Sequence, residues 1–327
     1  MPGLTFHVKF LGWYHFVGMS SEGAGSSGDL RWGVRRRLEF IDFRLMWDAR
    51  LNRSDLCDHF RISPQQASLD LVSYERLAPA NMLYDRGQRA FLRGAGYVPL
   101  LIGGLSDRYL LQLQALCLDL LPISETWFDR PPPAEVARMR HRRVDDLRLQ
   151  QILDAIRLGL ELRVTYSTMS GKPAGERHIA PHALASGSKR WHARCWCREN
   201  GEFRDFNLNR IRAVHELLPS DADPRLDLEW HNEVDLKMRP NPELAEEVQE
   251  SVRLEYDFDG PELLVTSRIA LVFYLFHEYN LEVASQGLKA TKRQLVLVND
   301  EEVERARTAA KDMAARGIRA AAKRADA

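Results

Sequence analysis

In the run Arg35 to Leu51 (RRRLEFIDFRLMWDARL), Leu38, Ile41 and Leu45 recur near helical spacing with arginines on the opposite side, which predicts a first helix. Asn52 or Ser54 offers the N-cap of a second helix ending near Phe60. Arg61-Ile62-Ser63 is too short for anything but a turn, and Ser63-Pro64 supplies a cap and a first-turn proline for a third helix reaching Leu77. Helix, three-residue turn, helix is the helix-turn-helix plan. On the third helix Ala67, Leu71 and Tyr74 share one side; Gln65, Gln66, Ser73 and Arg76 face away, with Ser68 on the flank. NMLYDRGQRAFLRG follows and predicts a hairpin wing, turning at Asp85-Arg86-Gly87-Gln88 and carrying Arg86 and Arg89. Any small three-helix unit with a hairpin shares this outline, but an outward face of amides and arginines over an apolar inward face favours DNA binding.

A further helix is predicted from Ser106 to Leu121, then a proline-rich basic segment, RPPPAEVARMRHRR, that suits a linker. An amphipathic helix from Leu147 to Leu160 leads into the strand LELRVTYS, with Leu160, Leu162, Val164 and Tyr166 alternating. More short strands follow, suggesting a small β-barrel of the SH3-like or Sm-like sort. Beyond Leu228, VDLKMRP, a helix at Pro242 to Ser251, strands VRLEYDF and ELLVTSR, a helix through ALVFYLFHEYN, strand QLVLVN and a final helix make an α/β sandwich. The resulting fold class is α+β and multidomain. It comprises a disordered leader (1–30), a winged helix-turn-helix (31–96), a linker with helix (97–144), the small barrel (145–218), a C-terminal extension (228–304) and a basic helical tail (305–327).

The richest stretch is RWHARCWCRENGEFRDFNLNRIRAV, residues 190 to 214. Asn200-Gly201 signals a two-residue type I′ hairpin. That turn would pair Cys195 with Phe206, Ala193 with Leu208 and Trp191 with Arg210 on one face. It would pair His192 with Asn209, Arg194 with Asn207 and Trp196 with Asp205 on the other. The second face, with its guanidinium, imidazole and amides, suits a planar or anionic ligand. The bland alternative is a solvated sheet face with an Arg194 to Asp205 salt bridge.

The formal net charge of zero conceals segregation. Residues 31 to 93 carry 12 basic and 8 acidic groups, residues 142 to 215 carry 14 and 8, and residues 216 to 304 carry 8 and 21. Two basic blocks therefore precede an acidic one, and a local basic face is what attracts an anionic partner. Four scattered cysteines argue against a disulfide scaffold and for a reducing compartment, the cytoplasm. Cys195-Trp196-Cys197 lacks a second ligand pair at finger spacing, and His178, His182 and His192 have no carboxylate motif with them, so no metal is expected. No 18-residue apolar stretch exists, so no membrane span is proposed. Phosphate-loop, nucleophile-elbow and zinc-deaminase signatures are absent, so neither catalysis nor a cofactor is expected.

Together Pro181-His182-Ala183-Leu184, RWHARCWC at 190 to 197, FRDFNLNRI at 203 to 211 and VTYSTMSG around Tyr166 and Ser167 resemble the WYL-domain transcriptional regulators, within them the phage-defence repressors of the CapW and BrxR type. The name-giving triplet falls on Trp191-His192-Ala193. The likeness spans roughly residues 31 to 304. It implies a homodimeric repressor whose winged helices bind double-stranded DNA at an inverted repeat, while the WYL domain senses an anionic ligand, a nucleotide or nucleic-acid fragment. On the outward face of the third helix and the wing, the expected DNA contacts are Gln65, Gln66, Ser68, Ser73, Arg76, Arg86 and Arg89. Carried over by residue, ligand contacts fall on Tyr166, Ser167, Arg177, His192, Arg194, Arg204, Asn207 and Arg210, although the hairpin register sets Arg204 and Arg210 on the face opposite His192 and Arg194. The competing reading is an accessory protein that binds single-stranded nucleic acid and regulates a partner enzyme.

Overall fold

The computed structural model describes residues 31–103, 106–138, 143–169, 173–187, 190–282 and 287–325. The leader expected at 1–30 lies outside the described residues. Two compact units divide the chain after residue 139.

The first unit contains α1 (Trp32–Trp47), β1 (Arg50–Leu51), α2 (Arg53–Phe60), α3 (Pro64–Leu77), β2 (Met82–Asp85), β3 (Ala90–Arg93) and α4 (Ser106–Cys117). α1 stops short of the sequence expectation because Ala49 turns the chain at φ +58°, and Arg50 and Leu51 pair with Leu92 and Phe91 of β3. The sheet order is β1-β3-β2, all antiparallel. At the start of α2 the Asp55 carboxylate accepts from the Asn52 N–H, and at α3 the Ser63 hydroxyl accepts from the Gln66 N–H. Leu38, Ile41 and Leu45 pack with Leu56, Ala67, Leu71 and Tyr74. Trp127 and Phe128, in the segment expected as linker, are buried in the same core.

Asp42 is fully buried and fully satisfied. One oxygen accepts from the Tyr74 and Tyr97 hydroxyls, the other from the N–H groups of Leu100, Leu101 and Ile102. Five donors offset the desolvation of one carboxylate and fasten the segment after the wing to α1. A forked pair from Arg37 to Asp70 ties α1 to α3.

The second unit opens with α5 (Asp146–Leu158), capped by Asp145 and ended by Gly159 at φ +64°. β4 (Leu160–Tyr166), β5 (Gly175–Gly187), β6 (Arg190–Cys197), β7 (Glu202–Asn207) and β8 (Ile211–Pro219) form an antiparallel sheet in the order β7-β6-β5-β4-β8. β7 and β8 stand at opposite edges, so the expected small barrel is instead an open sheet. Ile152 and Ala155 of α5 pack on Leu162, Ile179, Ala193 and Cys195. Pro181 pairs with Cys195 and Ala183 with Arg194, leaving His182 as the extra residue of a bulge.

The β6–β7 hairpin corrects the sequence register. Its loop is four residues, Arg198 to Gly201; Gly201 alone has positive φ, at +63°, and its N–H donates to Cys197 O. His192 therefore faces Asn207, Arg194 faces Asp205 and Cys195 faces Arg204. The slip of two leaves the residues of the two strands on their expected faces and changes their partners. Glu199 causes it, accepting from the His178 backbone N–H and lying 3.0 Å from its ring Nδ1, anchorage that a dipeptide rule does not register.

The chain continues through α6 (Leu228–His231), β9 (Glu233–Pro240), α7 (Glu246–Glu255), β10 (Leu263–Arg268), α8 (Val272–Glu278), β11 (Leu295–Leu297) and α9 (Asp300–Ala325). The sheet order is β10-β9-β11, and Leu236 and Met238 pack with Val252 of α7 and with Val303 and Ala310 of α9. VRLEYDF is not a strand: Val252 to Glu255 complete α7, with Val252 its buried residue. The tail expected from 305 is continuous with the final helix.

Candidate functional site

In the first unit α3 turns Ala67, Leu71 and Tyr74 inward and leaves Gln65, Leu69, Val72 and Arg76 exposed. The other polar residues expected on its outer face are drawn back. The Gln66 amide donates to Asp70, and the Ser68 and Ser73 hydroxyls donate to the carbonyls of Pro64 and Leu69. Arg86 and Arg89 sit exposed in the wing turn, whose start is fixed by the Gln88 N–H donating to Asp85. Between α3 and the wing lies a cleft of about 870 Å³, lined by Arg53, Ser68, Val72, Tyr84 and Arg89 among others. Leu69 and Val72, on a face the sequence was searched for polar groups alone, are exposed between Gln65 and Arg76.

In the second unit β7 ends at Asn207 and a 3-10 turn, Leu208–Arg210, carries Arg210 out of the strand alternation. That turn removes the conflict of faces for Arg210, whereas Arg204 stays in β7 opposite Cys195, on the face away from His192. Arg210 borders both a cleft of about 320 Å³ with Arg190, His192, Asn207 and Tyr274, and an adjoining one of about 420 Å³ with Arg177 and Arg204. Tyr166 and Asp205 are common to both. Among the described residues neither Arg190 nor Arg210 has an acidic side chain in an ion pair with it. Phe273 and Tyr274 of α8 supply the aromatic wall, so the C-terminal region completes the first cleft. Tyr274 stacks obliquely on His192 at 5.0 Å and donates to Asp205 at 2.9 Å. Burial lowers the pKa of His192, Arg210 and Arg190 lower it further, and Asp205 opposes them. Among the described residues the buried His192 Nδ1 has no hydrogen-bond partner. Ser167 stays outside both clefts, its hydroxyl accepting from Arg212.

Arg194 stands apart from this group. It is buried, and its guanidinium donates to Asp227 at 2.7 and 2.8 Å, to Glu229 at 2.9 Å and to Asp205 at 3.4 Å. The bulged His182 approaches the same Asp227 at 2.9 Å. Burial alone would raise the Asp227 pKa, but hydrogen bonds from Arg194 and His182 outweigh it and hold the carboxyl at about 2. His178 pairs with Glu199 and His182 with Asp227, so the three histidines do not converge; no metal-ligating cluster occurs among the described residues. Burial pushes both Cys195 and Cys197 thiols up, away from thiolate chemistry. No described helix is long and apolar enough to cross a membrane.

Comparison with known families gives three successive matches: a BrxR transcriptional regulator winged helix-turn-helix domain over residues 33–115, a WYL domain over 148–216, and a BrxR transcriptional regulator C-terminal dimerization domain over 233–303. These domains are regulatory, not catalytic. Similar relatives are named DNA-binding transcriptional repressor CapW. That of Stenotrophomonas maltophilia is 36% identical, covering 86% of this chain and 95% of its own. That of Escherichia coli strain KTE188 is 35% identical (84% and 91%), and that of Pseudomonas aeruginosa 33% identical (84% and 92%). Among solved structures, proteasome accessory factor B/C of Arthrobacter aurescens aligns with 84% of this chain and 46% of its own at 17% identity, with a TM-score of 0.27.

Proposed function

Because the chain belongs to the CapW family of DNA-binding transcriptional repressors, with BrxR-type winged-helix, WYL and C-terminal dimerization domains, we propose that it is a homodimeric, ligand-responsive repressor of a phage-defence operon, acting in the cytoplasm. Two winged helices, paired by the C-terminal domains, bind an inverted repeat. Gln65 meets a base edge, Arg76, Arg86 and Arg89 meet phosphates, and Gln66, Ser68 and Ser73 hold the helix surface in shape. An anionic ligand, a nucleotide or nucleic-acid fragment, enters the second unit between Arg177, Arg204 and Arg210 on one side and His192, Asn207 and Tyr166 on the other. Arg194 positions this wall without touching the ligand.

The observation that carries the reading is a cleft with two arginines that have no ion-pair partner among the described residues, closed by an aromatic wall from the C-terminal region. An anion there meets two guanidinium groups and a stacking surface together, while Asp205 in the same wall is engaged by Arg194 and Tyr274. Ligand binding shifts the dimer only as far as its affinities for the operator-bound and free arrangements differ.

The test is a mobility-shift assay of the full chain on the DNA upstream of its own gene, with and without a short 5′-phosphorylated single-stranded oligodeoxynucleotide. The oligonucleotide is expected to release the operator, and Arg210→Ala to bind operator normally but resist release. Loss of operator binding by Arg210→Ala, or equal release from it, would overturn the assignment of the cleft.

A further inference from the structure

Gln65, Leu69, Val72 and Arg76 fall at i, i+4, i+7 and i+11, one straight stripe along α3. All four are exposed, Leu69 at 62% and Val72 at 51%. Two aliphatic side chains thus occupy the centre of a stripe whose ends are an amide and a guanidinium. The core does not need them: Ala67, Leu71 and Tyr74 already fill the inward side. Valine is a weak helix former, so propensity does not explain its place either.

The flanking charges define what this stripe meets. Arg76 extends it, and Arg53 and Arg89 border the cleft into which Val72 opens. A polyanion held by those groups would bring its own surface onto Leu69 and Val72. For a DNA major groove, the one apolar group on a base edge is the thymine 5-methyl. We propose that Leu69 and Val72 are specificity determinants that pack against thymine methyl groups, so each operator half-site carries A·T pairs at the two steps they cross. Gln65 reads a neighbouring base edge and Arg76 holds the adjacent phosphate. This rests on α3 being the recognition helix.

The test removes the methyl alone. The full chain selects duplexes from a random pool, and each thymine of the selected half-site is then replaced by deoxyuridine, which keeps every hydrogen-bonding group. Losing one buried methyl is expected to weaken binding about fourfold. Leu69→Ala and Val72→Ala should each abolish that sensitivity at one position while leaving the salt slope of binding unchanged, because neither changes a phosphate contact. Both residues are exposed, and thermal melting checks that the variants fold. The uracil arm needs no variant at all. Equal affinity for thymine and uracil duplexes overturns the inference and leaves α3 free to be the recognition helix. Selection that enriches no sequence overturns the recognition-helix reading and this inference with it. A change in the mass of DNA-free protein on Leu69→Ala, with methyl sensitivity retained, would assign the pair to contact with a second copy and overturn it too.

Discussion

Asp227 gathers His182, Arg194 and the Trp230 N–H around one carboxylate that is 1% exposed. Its folded pKa of about 2 lies below its ordinary 3.8, so its contribution to stability is complete above 3.8 and disappears as the pH falls through 2. That contribution is on the order of 2 kcal/mol. Asp227→Asn leaves a buried guanidinium short of its main partner and should cost about 3–5 kcal/mol at pH 7. Urea melts at pH 7 and pH 3 check both points, and a variant as stable as the parent at pH 7 would remove the network from the account of the fold. None of this was legible in the sequence, because Asp227 is 33 residues from Arg194 and no local pattern joins them. His192, expected from the sequence at the ligand face, lines the cleft and bears the second prediction. Burial, with Arg210 and Arg190, outweighs Asp205 and lowers its pKa, favouring the neutral imidazole; an anion in the cleft would favour the charged form. Affinity for a short oligodeoxynucleotide, whose phosphodiesters do not titrate in this range, should therefore rise as the pH falls from 8 to 5. His192→Gln should flatten the profile in fluorescence anisotropy, and an unchanged slope would place the titrating group elsewhere.

At the scale of elements, local signals succeeded where capping and period agreed. Ser63-Pro64 set the start of α3, and the alternation of Leu162, Val164 and Tyr166 set β4. They failed where a distant contact decided the outcome. The β6–β7 loop follows Glu199 reaching His178, and the end of α7 follows the packing of Val252 with the β9 core. The open sheet edge could not be read from strand count alone. Gly187, at the end of β5, shows how closely two elements meet: a Cβ built there would collide with Cβ and Cγ of Tyr274. Gly187→Ala must therefore push α8 off β5, separating Tyr274 from Asp205 and His192. Oligonucleotide affinity should fall well beyond the effect of Tyr274→Phe, which loses only one hydrogen bond, of roughly 0.5–1.5 kcal/mol. Equal losses in a direct binding titration would mean that the Tyr274 hydroxyl, and not the seating of α8, makes the wall.

For the whole molecule, the segregation of charge gave the broad plan, since the basic blocks coincide with the winged helix and the WYL sheet and the acidic block with the C-terminal region. It could not give any coupling between cleft and operator, which would depend on how two arrangements of a dimer differ in free energy. If the cleft is an effector site, thermodynamics fixes one relation whatever the path of the motion. The factor by which a saturating oligonucleotide weakens operator binding must equal the factor by which saturating operator weakens oligonucleotide binding. Coupling of this kind is commonly about 5–150-fold, within reach of anisotropy titrations run in both directions on the same preparation. Arg210→Ala should bring both factors toward one together, because it removes the ligand's contact without touching the operator face. Should each ligand instead raise the other's apparent Kd without limit, in proportion to its own concentration and with no plateau, the two would be competing for one surface, and the sensing cleft would have to be sought on the winged helix itself.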